Sequence, residues 1–233
     1  MRFFRVVCGL LCVVIVVSEG CGKGEYERRL RNRGAGGVAN PTLGQPAAAG
    51  AELYAPLQLP GSGFSVCVPR VFVNQPFVPG GADERRVKAG PVTLPDLKFT
   101  YEAYITDAAG GQMSYYLYLA ATSGSAQTVA EQLRMQLAGQ SQQESGWADF
   151  PVTSSTGKTL SWRRLRATGQ QEFYYKSKDG QEQFTTMPGV LEIYLCESGG
   201  QVLIVAWRMP AAIEQHTGLA RLAPLVAGSI SAP

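Results

Sequence analysis

Histidine is nearly absent from this chain: His216 is the one in 233 residues. A zinc site built on clustered imidazoles is therefore excluded, and Cys67 with Cys196 alone makes a poor substitute. A Cys–His nucleophile would need His216 beside one of those thiols and a third group to orient it. Gly-x-Ser-x-Gly is also missing, since around Ser65 the run is Gly63-Phe64-Ser65-Val66-Cys67. "SSTGKT" at 154–159 lacks the glycine a phosphate-wrapping loop requires, with Val152 in its place, and a strand rather than a helix follows. Nothing here asks for a metal or a cofactor. Charge of one sign is not concentrated either: 21 basic and 18 acidic residues give a net +3. Nucleic-acid binders carry basic stripes, so nucleic acid is excluded as a partner.

Long apolar runs are missing as well. Val6 to Val17 is 12 residues, where a membrane-crossing helix needs ~20. That length, preceded by Arg2 and Arg5, suits the core of a signal peptide over residues 1–20. Ser18 and Gly20 then stand three residues and one residue before Cys21. Small-small-Cys after such a run resembles the bacterial lipoprotein signal. The resemblance covers residues 1–21 and implies that Cys21 is lipidated and becomes the first residue of the mature chain. The protein is then held to a membrane at the cell envelope, facing the periplasm or the exterior. An ordinary secretory cut near Gly20 and an uncleaved anchor are the alternatives.

Residues 21–60 read as a flexible tether. A basic stretch with Arg28, Arg29, Arg31 and Arg33 is followed by "VANPTLGQPAAAGAELYAPLQLPG", with too few large apolar groups to offset ordering entropy. The globular domain is expected over residues 61–233. Cys8 and Cys12 leave with the leader, so Cys67 and Cys196 remain, either as a disulfide or as two buried thiols.

Within the domain, Phe64, Val66 and Val68 alternate toward Pro69, and a proline-rich loop of 74–96 follows. "LKFTYEAYIT" and "QMSYYLYLAAT" alternate around Gly110-Gly111 and form a hairpin. "SAQTVAEQLRMQLAG" has a helical period, with Ser125 as N-cap and Gly139 as the C′ residue. Strands resume at 159–168 and 171–178, divided at Gly169, and a final hairpin is formed by 190–198 and 201–209. Pro210 opens a last helix over Ala211–Leu222, which Pro224 kinks or ends. Antiparallel hairpins with a middle and a C-terminal helix predict a single-domain α+β fold. From Gly63-Phe64-Ser65 and Pro69 onward, this order of elements resembles the PsbP-like fold over about residues 61–231. That resemblance implies a binding or assembly protein, not an enzyme.

Tyr104, Tyr116 and Tyr118 fall on the nominally outer face of the first hairpin, with Tyr174 nearby. An exposed tyrosine patch would bind protein or glycan; a covering helix would make the same residues core. The expected function is that of an exported lipoprotein acting as a non-enzymatic binding or assembly module, with an envelope protein or glycan as partner. Two alternatives stand beside it. One is a carboxylate-based hydrolase or sugar-processing enzyme drawing on Asp149, Glu172, Asp179 and Glu182; the other is a structural envelope spacer.

Overall fold

The computed structural model describes residues 52–72, 76–80, 83–153 and 159–232. Strand-forming runs rich in Val, Ile, Tyr and Trp dominate it, as their branched and aromatic side chains favour a pleated surface. A two-stranded pair comes first, β1 (Leu57–Gln58) with β2 (Ser65–Val66), then one helical turn, α1 (Glu84–Val87). The first hairpin is β3 (Leu97–Thr106) and β4 (Gln112–Ser123), followed by helix α2 (Ala126–Gly139). Short strands β5 (Gln143–Glu144), β6 (Ala148–Asp149), β7 (Val152–Thr153) and β8 (Thr159–Leu160) lead to β9 (Trp162–Lys176). Then come β10 (Glu182–Ser198), β11 (Gln201–Pro210), a 3-10 turn (Ala211–His216) and helix α3 (Leu219–Gly228). The fold is α+β, as expected.

The main sheet is antiparallel in the order β3-β4-β11-β10-β9-β5, with β6 also on the edge of β9. β11 stops at Pro210, which has no N–H to continue a ladder. Beyond that point the start of β4 meets the end of β9, pairing Gln112 with Lys176 and Met113 with Tyr175. The sheet therefore closes on itself at one end, through β9, β10, β11 and β4.

Both faces are covered. Tyr101, Leu117, Trp207 and Tyr194 point to one side, under Leu53, Phe64 and Phe72 from the N-terminal segment and Leu222 and Val226 of α3. Tyr116, Tyr118, Ile193 and Ile204 point to the other, under Leu133 and Leu137 of α2 and under Ala89, Val92 and Leu94. Ser125 caps α2, its Oγ accepting the Thr128 N–H at 3.2 Å.

Several expectations need revision. Residues 52–60 are not tether: Leu53 and Leu59 are in the core, Leu57 pairs with Val66, and Leu53 bridges Pro69. Their composition reads as linker, yet the buried leucines and backbone bonds such as Tyr54 N–H to the Val68 carbonyl hold the segment on the domain. β9 runs unbroken through Gly169, because that glycine serves close packing instead of a turn. A Cβ there would lie 2.5 Å from the Gln142 side-chain amide. The last helix begins at Leu219, not Ala211. The 3-10 turn ends against Gly218, whose φ of +70° starts a new segment, and Pro224 lies inside the helix that follows.

Candidate functional site

The hydrophobic run "QVLIVAWRMP" places one charge, Arg208, on the inward face of β11. Alternation along β11 puts it on the same side as Ile204 and Ala206, directly opposite Tyr116 of β4. It is 3% exposed. Its guanidinium lies against the rings of Tyr116 (4.7 Å), Phe173 (5.0 Å) and Tyr118 (5.9 Å). Nε donates to the Tyr118 hydroxyl at 2.9 Å and Nη1 to the Glu172 carbonyl at 2.6 Å. The Tyr118 hydroxyl in turn donates to the Lys88 carbonyl at 3.0 Å.

Among the described residues, no carboxylate lies within ion-pair distance of Arg208. A guanidinium has five N–H groups, and two are engaged here. Burying an unpaired cation costs several kcal/mol. Aromatic faces return about 0.5–2 kcal/mol of that. Arg208 is not among the buried atoms left without a partner, so its remaining N–H groups open onto the adjoining cavity.

Around Arg208 lies a cavity of about 170 Å³, lined by Arg85, Lys88, Gly90, Gln142, Gln171 and Glu172 among others. Gln171 is 4% exposed, and its Oε1 has no hydrogen-bond partner. Its Nε2 reaches Gln142 Oε1 only at 3.4 Å. Three glycines make room for these side chains. A Cβ at Gly90 would meet Arg208 Cδ at 2.7 Å, one at Gly189 would meet Gln171 Cδ at 2.8 Å, and Gly169 accommodates Gln142. At the mouth, Arg85 from α1 pairs with Glu172 from β9 and stacks 4.2 Å over Phe184. That pairing holds the Arg85 guanidinium firmly charged. The wall thus presents Arg85, Lys88 and Arg208 against Glu172, an excess of positive charge.

A second buried polar group adjoins the site along β3 and β4. Burial pushes the Glu102 carboxyl up, opposed by Ser114, Arg86 and Tyr116. Arg86 lies 3.6 Å from it and stacks 3.5 Å over Tyr174. Burial also raises the Tyr116 and Tyr118 hydroxyls, with Arg208 pulling both back. Both phenols stay neutral at ordinary pH.

The expected tyrosine patch is not on the surface. Tyr116 and Tyr118 are fully buried, because residues 87–94 fold over them, and Tyr104 alone is exposed, at 48%. Cys67 and Cys196 are buried free thiols in one core cluster, so the disulfide the sequence allows is not formed. Cys67 is held by its own backbone N–H donating to Ser229 Oγ at 3.0 Å, while Cys196 lies near the end of β10, paired with Trp162 on one side and Leu203 on the other. Burial raises both thiols, Cys196 to about 12. His216 is exposed on the 3-10 turn, whereas both sulfurs are buried. Of the four carboxylates considered, Glu172 is tied to Arg85 and Glu182 to Lys176, while Asp149 and Asp179 are exposed. Among the described residues, no group of three His, Cys, Asp or Glu side chains is placed to hold a metal. Cys21 and most of "SSTGKT" lie outside the described residues.

Sequence reasoning missed Arg208, Gln171 and Gly90. The signal was present: a lone arginine in an otherwise apolar strand marks either a buried polar site or an edge.

No protein-family model and no curated protein sequence matches this chain. Among solved structures it is similar to the solution structure of cyanobacterial PsbP (CyanoP) from Synechocystis sp. PCC 6803, in the family whose element order the sequence resembles. Identity is 12% and the TM-score 0.39, with 82% of this chain and 99% of that one covered. A likeness at that level says nothing of what this chain binds.

Proposed function

We propose that this protein is an exported, lipid-anchored, non-enzymatic binding or assembly module of the cell envelope, and that its partner engages the cavity around Arg208. The observation that carries the reading is a buried arginine with open N–H groups and, among the described residues, no carboxylate within ion-pair distance, in a cavity whose shape depends on three glycines. A purely structural arginine would be satisfied within the fold, and a spacer would need no such cavity. The hydrolase alternative wants a free carboxylate pair facing a cleft; the carboxylate in this wall is already tied to Arg85. Export and anchoring rest on the N-terminal pattern ending at Cys21.

Cross-linking in intact cells, followed by purification of the membrane-bound protein, tests both parts. Cys21→Ser is expected to release the protein from the membrane fraction. One reproducible partner is expected from the native chain, with its yield reduced by Lys88→Glu at the cavity mouth. A Cys21→Ser protein that stays with membranes ends the lipid-anchor reading. Cross-linking that captures no partner ends the binding-module reading, and a partner indifferent to Lys88→Glu ends the assignment of this cavity as the site it engages.

A further inference from the structure

We infer that the group received by the Arg208 cavity is a carboxylate. This rests on the cavity being the binding site, and it specifies the chemistry that site recognises.

The cations in the wall are not equivalent. Arg85 and Glu172 neutralise each other at the mouth, and Lys88 is exposed. Arg208 is the buried positive charge left over, which matches one negative charge on the ligand. Its open N–H groups belong to a rigid planar fork, and that fork meets the two oxygens of a carboxylate in parallel, charge-assisted bonds. A phosphate dianion would bring a second charge into a wall that also carries the Glu172 carboxylate. The other buried polar side chain, Gln171, is neutral, and its Oε1 is an orphan. Half a turn about its terminal torsion, which is broad and two-fold, exchanges that oxygen for the amide N–H₂. The bond lost in doing so is the long 3.4 Å contact with Gln142. Gln171 then donates to the entering anion, and its oxygen turns toward Gln142, whose own amide must turn to donate to it.

Size agrees with charge. About 170 Å³ is well short of the ~300–1,000 Å³ typical of small-molecule sites. It suits the carboxylate-bearing end of a chain or side chain, with the remainder of the ligand outside along Lys88, Arg85 and Phe184. Tyr116, Tyr118 and Phe173 fix the guanidinium plane, so the receptor is organised before the ligand arrives.

The test is a titration of the full-length protein in detergent, following the Arg208 Nε–H and Gln171 side-chain amide resonances by NMR. The probes are acetate, N-acetylglycine, N-acetylglycine amide and inorganic phosphate. N-acetylglycine is expected to move both resonances saturably with a Kd near ~1 mM, a scale at which a single anchored group binds. Its amide should leave them unmoved. Tighter binding of N-acetylglycine than of acetate places the carboxylate at a peptide end; equal binding places it on a carboxylate of any source. Arg208→Lys keeps the charge but loses the fork, and should weaken binding at least ~tenfold. If that variant fails to fold, Gln171→Leu should weaken it severalfold, and the wild-type titration decides alone if neither folds. Saturation by phosphate below the carboxylates, an equal response to the amide, or no saturable shift with any probe overturns the inference. A cross-linked partner without carboxylate binding defeats this inference and spares the functional reading. Carboxylate binding with no partner does the reverse.

Discussion

Replacing Gly90 by alanine tests whether Arg208 is wedged beneath residue 90. Gly90 sits at φ +67°, and an added Cβ would lie 2.7 Å from Arg208 Cδ and 3.3 Å from Gln171 Oε1. Arg208 cannot yield freely. It is held at Tyr118 and at the Glu172 carbonyl and is packed on three rings. An alanine in the left-handed region costs ~1–2 kcal/mol. Shifting Arg208 enough to break one bond to its charged group costs a further ~1.5–3 kcal/mol. At ~2–4 °C per kcal/mol for a domain of this size, the two together lower Tm by about 5–20 °C. Gly61→Ala separates the contributions, because Gly61 has φ +73° and nothing within 4 Å of its added Cβ. It pays the backbone strain alone, so Gly90→Ala is expected to melt about 3–12 °C below it. Thermal denaturation followed by circular dichroism measures both. Equal melting temperatures for the two variants would refute the wedge, and with it the account of why a glycine lines this cavity.

Three further outcomes are expected. Leu133→Ala, at a fully buried position of α2, should lose ~2–5 kcal/mol in urea unfolding, whereas Met135→Ala, 64% exposed, should stay within ~0.5 kcal/mol. A chain starting at Gly61 should be less stable than one starting at Glu52 by about 3–6 kcal/mol, the burial of two leucines; equal stability would return residues 52–60 to the tether. Arg166, through Nη2 to Glu214 Oε2 at 2.8 Å, holds the Glu214 carboxyl below its ordinary value of 4.5. The unfolded chain then binds the proton more readily than the folded one, so the stabilisation is complete above pH 4.5 and drains away as pH falls below it. Glu214→Gln should flatten that acid limb of a Tm–pH curve, and an unchanged limb would remove Glu214 from the explanation.

Most of the elements were legible because they obey local rules. The alternation in "LKFTYEAYIT" and "QMSYYLYLAAT" produced the first hairpin, and Val129, Leu133 and Leu137 behind Ser125 produced α2. Errors arose where a residue's role is set by something distant in the chain. Gly169 looks like a break, but Gln142 packs over it inside a continuous strand. Leu53, Leu57 and Leu59 look like linker, but the sheet gives them a surface. Tyr116 and Tyr118 alternate away from the first core as expected, yet residues 87–94 turn their face into a second one.

Periodicity, caps and turn residues act over a few positions, so strand and helix identity and the α+β class follow from the amino-acid order alone. The expectation of export, from the pattern ending at Cys21, rests likewise on which residues are present and how they are spaced. The Arg208 cavity does not follow. Its parts come from α1 and the loop after it, from the segment after α2, and from β9 and β11, which are up to 123 positions apart between Arg85 and Arg208. Whether an arginine in an apolar strand is buried, stacked and left without a carboxylate depends on which strands neighbour it and what covers them. Only the closed sheet and its two cover layers supply those neighbours.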